Sequence, residues 1–149
     1  MSVLDANAAG NVHGGTIMRL CDEAAALAAM KHSRRRVVTA AMDRMAFRYP
    51  VRLGELVTLR ASVNAAWHTS MEVGVRVEAE NPRTGEVRHT STAYLTMVAL
   101  DDHDRPAPVP PLVASAPAEG RRMREAELRR ANRLAERDEI LSHRERESP

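Results

Sequence analysis

Apolar and polar residues alternate with a period of two through the middle of the chain, in residues 55–66 and 71–80. The apolar faces comprise Val57, Leu59, Ala61, Val63 and Ala65 in the first segment, and Met71, Val73, Val75, Val77 and Ala79 in the second. This period predicts half-buried antiparallel strands. The intervening polar residues are expected to face solvent: Thr58, Arg60, Ser62 and Asn64, then Glu72, Arg76, Glu78 and Glu80.

Two more segments have extended character. Residues 81–85, Asn-Pro-Arg-Thr-Gly, predict a hairpin turn, and the run from Val87 to Leu100 then predicts a long strand. Val37 to Tyr49 is a further extended candidate, stopped by Pro50. The pattern therefore predicts about four antiparallel strands.

The remaining segments favour helices. Gly15 to Met30 is apolar on nearly every side, which predicts a buried helix. We therefore predict an α+β fold in which an antiparallel β-sheet wraps around one long central helix, with a second helix at the C-terminus. The expected organisation is a folded domain over residues 1–102, a proline-rich linker over 103–118 and a charged helix over 119–149. A frayed tail is the alternative for the last segment.

Composition excludes several classes of protein. Lysine and arginine total 22 against 20 acidic residues, so the formal net charge of +2 argues against a strongly basic nucleic-acid-binding protein. No apolar run is long enough to span a membrane, and no signal peptide is evident. The single cysteine, Cys21, excludes an intrachain disulfide and indicates a reducing, cytoplasmic setting.

Candidate chemistry lies where a loop enters the first helix. Turn-forming residues precede Gly14 and Gly15, which open the helix without side-chain bulk, so its first N–H groups could stabilise an oxyanion. Asp22 follows Gly15 by two turns on the same face, and a carboxylate in an apolar helix is a candidate base or nucleophile. Glu23 is expected to pair with Arg19. The alternatives are an Asp22–Arg19 pair and a merely structural glycine turn.

These residues resemble a known signature. The loop contributes Asp5, Asn7, Gly10, Asn11, Val12, Gly14 and Gly15, and the helix contributes Asp22, Glu23, Ala24 and Ala25. Together they resemble the hot-dog-fold acyl-coenzyme A thioester hydrolases, which include brain-type cytosolic acyl-CoA hydrolase and related bacterial acyl-CoA thioesterases. The resemblance continues through residues 44–47, 67–73 and 79–86, and covers roughly residues 4–102.

The resemblance implies hydrolysis of acyl-CoA to a carboxylic acid and CoA. It implies that Asp22 is the general base or the nucleophile, and that Asn7 of the partner subunit positions water or the carbonyl. Gly14 or Gly15 would hold the oxyanion through a backbone N–H, with His13 beside the substrate. A dimer follows from the shared site, and the family often assembles as a hexamer, a trimer of dimers.

The resemblance also implies where CoA binds, and it implies no cofactor, since CoA is part of the substrate, and no metal. Candidate contacts are Thr69, Ser70, Met71 and Arg88, with Lys31 and residues 34–36 as further phosphate-binding candidates. We expect no nucleic acid or membrane partner. Members of the family usually have a strand before the loop, whereas only Met1 to Leu4 precede Asp5, so we expect the natural chain to begin upstream.

Two other functions fit the same fold. One is an acyl-CoA hydratase, which would need an Asp/His pair and for which His13 is the available histidine. The other is a non-catalytic acyl-CoA-binding or acyl-CoA-sensing module. Release of free thiol from acyl-CoA would distinguish the hydrolase from both.

Overall fold

A computed structural model describes residues 3–147, which form two compact units that divide between Leu112 and Val113. The first unit contains a 3-10 turn at Val3–Asp5, one helix and all five strands; the second contains one long helix. The elements are α1 (Gly14–Ser33), β1 (Arg36–Met42), β2 (Ala46–Phe47), β3 (Leu56–Ala66), β4 (Ser70–Glu80), β5 (Val87–Leu100) and α2 (Pro117–Glu147).

The strands form one antiparallel sheet in the order β1-β5-β4-β3, and the short β2 also pairs with β5. Helix α1 packs on one face of this sheet through buried side chains at every fourth position: Ile17, Cys21, Ala25, Ala29 and Ser33. The facing core residues of the central strands include Val73, Val75, Leu95 and Met97. The predicted antiparallel sheet around a long helix is confirmed.

The composition of α1 predicted a helix that is buried on nearly every side, and this prediction is wrong. Leu27 is 66% exposed and Met18 is 41% exposed in this protomer. The physical reason is that a single sheet covers only one face of a helix. Apolar side chains of α1 therefore remain exposed where the sheet does not cover the helix.

The candidate strand from Val37 to Tyr49 is interrupted. Strand β1 ends at Met42, and β2 resumes at Ala46 for only two residues. The register of β1 against β5 also shifts between Thr39 and Ala41, which marks a β-bulge. The pattern identified extended chain here but did not predict this break.

Two residues predicted to face solvent are buried. Asn64 is 3% exposed and Glu72 is fully buried. The β3–β4 register shifts between Val63 and Ala65, so Asn64 occupies a bulge and no longer follows the alternation of its strand. Its Nδ2 donates a 3.1 Å hydrogen bond to Glu72 Oε1. Gly74 makes room for this pair, since a Cβ there would lie 2.6 Å from Asn64 Nδ2.

The proline-rich segment is not a free linker along its whole length. The Ala107 N–H donates to the Ala99 carbonyl at 2.8 Å, and the Val109 N–H donates to the His68 carbonyl at 3.0 Å. These bonds hold the segment against the first unit, which continues to Leu112 rather than ending near residue 102.

Helix α2 begins with a local cap. Glu119 Oε2 accepts hydrogen bonds from the N–H and hydroxyl of Ser115, at 2.7 and 2.8 Å, and these bonds hold the pKa of Glu119 below its usual range. No helix within residues 3–147 is long and apolar enough to cross a membrane.

Candidate active site

The loop before α1 holds the side chain of Asn7 in one orientation. The Asn7 N–H donates to the Asn11 carbonyl at 2.7 Å, and Gly10 adopts a φ of 75°, which a side chain would disfavour. Asn7 Oδ1 accepts from the N–H groups of Ala9 and Asn11, at 2.9 and 3.1 Å. Because the oxygen is occupied, the Nδ2 group is the part of Asn7 that remains for a ligand, and it can only donate.

His13 caps the N-terminus of α1. Its Nδ1 accepts from the Gly15 N–H at 3.0 Å, so that donor is already bonded. The Gly14 N–H has no partner within its helix and donates to no acceptor in residues 3–147. Of the two predicted oxyanion donors, only Gly14 has its N–H available, and the structure gives His13 a capping contact.

A cavity of about 310 Å³ brings Asn7 and Gly14 together. Its other lining residues are mainly apolar: Asn11, Val12, Ile17, Phe47, Tyr49, Pro50 and Val51. The Phe47 ring lies against Gly14, where a Cβ would be 3.5 Å from Cζ. Sequence reasoning missed Phe47 and Tyr49. The available signal was their proximity to each other, in a chain whose aromatic content is only 3%.

Asp22 does not line this cavity. It lies on the side of α1 that faces β1, where its Oδ1 accepts a hydrogen bond from the Thr39 hydroxyl. Arg19 instead forms a 2.7 Å ion pair with Glu23, as predicted, so the alternative pairing of Arg19 with Asp22 does not occur. The side chain of Asp22 is half-buried. A single protomer therefore presents Asn7 and Asp22 at separate places.

Thr39 is the polar partner that sequence reasoning did not find. Its hydroxyl also lies 3.5 Å from Met97 Sδ on β5. The available signal was a hydroxyl between apolar neighbours in a strand, on the face that it shares with Val37.

The predicted CoA contacts differ in exposure. Thr69 and Ser70 are partly exposed at the turn between β3 and β4, whereas Met71 is fully buried in the core. The Arg88 guanidinium forms an ion pair with Glu55. Arg88 is therefore held by a carboxylate, and Met71 has no surface to offer a ligand in this protomer.

The described residues bear on metal binding and on the reactivity of the single thiol. Within residues 3–147, no group of three or more His, Cys, Asp or Glu side chains is positioned to hold a metal ion. Burial raises the pKa of the Cys21 thiol to about 11, so the thiol stays protonated near neutral pH. Cys21 is thus a packing residue of α1.

Comparison with known proteins identifies the family. The profile of the thioesterase superfamily matches residues 9–86. The chain belongs to the thioesterase superfamily. An apo-hexameric acyl-CoA thioesterase is 38% identical with a TM-score of 0.88, over 91% of this chain and 87% of that chain. The hot-dog fold and the resemblance to acyl-CoA thioester hydrolases are confirmed.

Curated relatives are longer than the matched region. Protein VdlD of Helicobacter pylori is 37% identical over 99 residues, which are 66% of this chain and 56% of that protein. The chain thus spans just over half the length of this relative.

An acyl-CoA hydrolase from Staphylococcus aureus, in complex with butyryl-CoA, CoA and CoA disulfide, is also similar. It is 34% identical with a TM-score of 0.88, over 97% of this chain and 88% of that chain. Structures of its variants carry single alanine substitutions of an asparagine, an aspartate and a threonine. Successive substituted positions are 15 and 17 residues apart, as are Asn7, Asp22 and Thr39 here.

Proposed function

We propose that this protein hydrolyses acyl-CoA thioesters to a carboxylic acid and free CoA. The observation that carries the proposal is the set Asn7, Asp22 and Thr39, whose spacing matches the three substituted positions of the Staphylococcus aureus hydrolase. The contact between the Thr39 hydroxyl and the Asp22 carboxylate adds support, because it orients the carboxylate on the central helix.

Asp22 supplies the base or the nucleophile. As a base, its carboxylate takes a proton from water while the water oxygen bonds to the thioester carbon. As a nucleophile, its oxygen attacks the carbon and forms an anhydride that water then hydrolyses. In both routes the C–S bond breaks and the sulfur leaves as a thiolate that is protonated to free CoA. Hydrolysis in ¹⁸O-water under single-turnover conditions puts ¹⁸O into Asp22 only when an anhydride forms and water attacks its Asp22 carbonyl, so label in Asp22 identifies the nucleophile route.

Two donors suit the oxygen that becomes negative. The Gly14 N–H lies at the positive end of the α1 dipole, and Asn7, whose Nδ2 can donate, lines the same cavity as Gly14. Donors that are already oriented stabilise an oxyanion without reorganisation, and removal of one such donor typically lowers kcat by about 10²- to 10³-fold. The mechanism uses only these groups and water, so we propose that it requires no cofactor and no metal.

The complete site is shared between subunits. Asn7 and Gly14 line one cavity and Asp22 lies outside it, so we propose that a second copy of the chain brings its Asp22 to the Asn7 cavity. The outer edge of β1, which pairs with no strand of residues 3–147, and the exposed apolar side chains of α1 are available surfaces for such a dimer. We propose that three dimers form a hexamer, and that the enzyme acts in the cytoplasm.

A thiol-release assay tests the activity. Wild-type protein, mixed with a series of saturated acyl-CoA substrates, is expected to release CoA from at least one of them. Asp22→Asn should abolish release, whereas Glu23→Gln, the next residue on the exposed face, should retain it. CoA binding without release from any substrate would favour the sensing module, and full activity of Asp22→Asn would exclude Asp22 from catalysis.

Mixing inactive variants tests the shared site. Neither Asn7→Ala nor Asp22→Ala should be active alone, but a dimer containing one copy of each would have one intact site. Random reassociation of equal amounts should restore about a quarter of wild-type activity. No recovery after verified subunit exchange would mean that each site takes both residues from one chain.

A further inference from the structure

Glu55 carries a buried carboxylate that the proposed mechanism does not use. It is 6% exposed, and its Oε1 forms an ion pair with the Arg88 guanidinium. Two charges that leave water lose their hydration, so a buried ion pair adds little net stability. Such a pair can instead select one arrangement of the chain around it. The arrangement around Glu55 is that of a turn, residues 50–55, which precedes β3.

The Glu55 side chain closes this turn. Its Oε2 accepts a hydrogen bond from the Arg52 N–H at 2.8 Å. The Glu55 N–H donates to the Arg52 carbonyl at 3.2 Å. One carboxylate therefore holds the backbone of the turn through one oxygen and Arg88 through the other.

Arg88 connects the turn to the middle of the sheet. It is the second residue of β5, which pairs with β1 along one side and with β4 along the other. Arg88 itself lies opposite Ala79 of β4. The ion pair thus fixes the turn relative to a central strand, across 33 residues of chain.

The turn also contacts the loop that carries Asn7. Arg52 pairs with Asn11 in an antiparallel bridge. The next residue of the loop adds a second contact, because the Val12 N–H donates to the Val51 carbonyl at 2.8 Å. Two neighbouring residues of the turn therefore hold two neighbouring residues of the loop.

Asn11 in turn orients Asn7. Its carbonyl accepts the Asn7 N–H at 2.7 Å, and its own N–H donates to Asn7 Oδ1 at 3.1 Å. The contacts are therefore continuous from Arg88, through Glu55 and the turn, to the Asn7 side chain.

A shift of the turn would change the Asn7 cavity and not the surroundings of Asp22. Pro50 and Val51 line the cavity together with Asn7, so they would move with the turn. Asp22 is held by the Thr39 hydroxyl, a contact between α1 and β1 that does not involve the turn.

We propose that Glu55 and Arg88 are positioning residues for Asn7, an inference that rests on the proposed hydrolase function. The ion pair holds the turn, the turn holds the loop, and the loop presents the Asn7 Nδ2 to the thioester oxygen. In a shared site the pair therefore acts in the subunit that supplies Asn7, and the Asp22 of its own chain is unaffected.

Steady-state kinetics gives the first test. Glu55→Gln keeps the size of the side chain and removes its charge. It should lower kcat for acyl-CoA by on the order of 10- to 100-fold with KM roughly unchanged, because a displaced donor stabilises the transition state less. Arg88→Met should act alike, whereas Arg88→Lys, which keeps the ion pair, should retain most of the activity. The matched control Glu78→Gln loses the exposed ion pair with Arg76 and should keep the wild-type kcat.

Subunit mixing distinguishes positioning from a general loss of structure. A dimer of one Glu55→Gln chain and one Asp22→Ala chain has one site with an unaltered Asn7 loop and an unaltered Asp22. Random reassociation of equal amounts should raise the activity to about a quarter of wild type. Mixing Glu55→Gln with Asn7→Ala should bring no gain. No recovery with Asp22→Ala, where Asn7→Ala and Asp22→Ala do recover together, would overturn the proposal.

Amide hydrogen exchange tests the contacts without any activity. The Val12 N–H, which bonds to the turn, should exchange faster by about tenfold or more in Glu55→Gln, and at the wild-type rate in Glu78→Gln. If the wild type cleaves no acyl-CoA, the hydrolase function fails by itself, and this exchange still decides whether the pair holds the loop. Equal exchange in Glu55→Gln and wild type would overturn the proposal, as would a wild-type kcat in Glu55→Gln and Arg88→Met.

Discussion

The Thr39 hydroxyl donates a hydrogen bond to the Asp22 carboxylate, joining β1 to α1 across 17 residues of chain. This bond leaves the other carboxylate oxygen for water or substrate. Because a strand and a helix hold the two ends, the carboxylate is oriented before a ligand arrives. Thr39 is thus a positioning residue for the proposed base or nucleophile.

Thr39→Val, which keeps the shape but removes the hydroxyl, should lower kcat for acyl-CoA by on the order of 10- to 100-fold with KM roughly unchanged. Thr39→Ser restores the hydroxyl and should recover most of the activity. Steady-state kinetics of both variants checks this, and a wild-type kcat in Thr39→Val would show that the bond has no catalytic role.

Gly74→Ala should destabilise the first unit by about 1 to 3 kcal/mol, because the new Cβ would lie 2.6 Å from Asn64 Nδ2. Gly120→Ala is the matched control. Its Cβ would meet Arg124 Nη1 at an ordinary 3.5 Å, and alanine favours a helix by about 0.5 to 1 kcal/mol. Urea unfolding measures both. A Gly74→Ala variant as stable as wild type would show that the Asn64–Glu72 pair can shift freely.

Asn64→Asp should cost about 2 to 4 kcal/mol at pH 7, since it replaces the donor to Glu72 with a second carboxylate in a buried place. Asn81→Asp, in the hairpin turn, is the control, because its acceptor for the Arg83 N–H is retained. Urea unfolding at pH 7 measures both variants, and equal effects of the two substitutions would contradict the expectation.

Cys21→Ala should change how stability depends on alkaline pH. The thiol ionises near pH 9 in the unfolded chain and at about pH 11 when folded, so the wild type loses stability as pH rises between these values. The loss approaches about 1 to 3 kcal/mol, and the alanine variant lacks it. The free energy of unfolding of the wild type should therefore fall relative to that of Cys21→Ala between pH 8 and 11. A difference between the two proteins that stays constant with pH would mean that the thiol ionises alike in the folded and unfolded states.

Much of the fold could be predicted from periodicity, because most contacts of the sheet follow regular alternation. The apolar faces of β3 and β4 and the Arg19–Glu23 pair follow from spacing alone. The bulge at Asn64 could not be predicted, because one extra residue reverses the direction of a side chain without a local signal. The burial of Glu72 could not be predicted either, because its partner Asn64 lies eight residues away on the neighbouring strand.

The residues of the candidate site were likewise only partly predictable from the sequence. Asn7, Gly14 and Asp22 belong to one short segment, so their residue types and spacing pointed to chemistry. Thr39 and Phe47 reach the site only through tertiary packing, and nothing local connects them to it. The bond between His13 and the Gly15 N–H depends on the rotamer of a side chain, which spacing does not specify.

The burial of Cys21 has a practical consequence for measuring this protein. Reagents that detect the free thiol of CoA react with thiolates, and the one cysteine of the folded chain is both inaccessible and protonated near neutral pH. The folded protein therefore does not react with such a reagent, and the measured signal comes from the CoA that is released. A signal that rises without substrate instead measures the fraction of molecules in which the Cys21 thiol has become accessible.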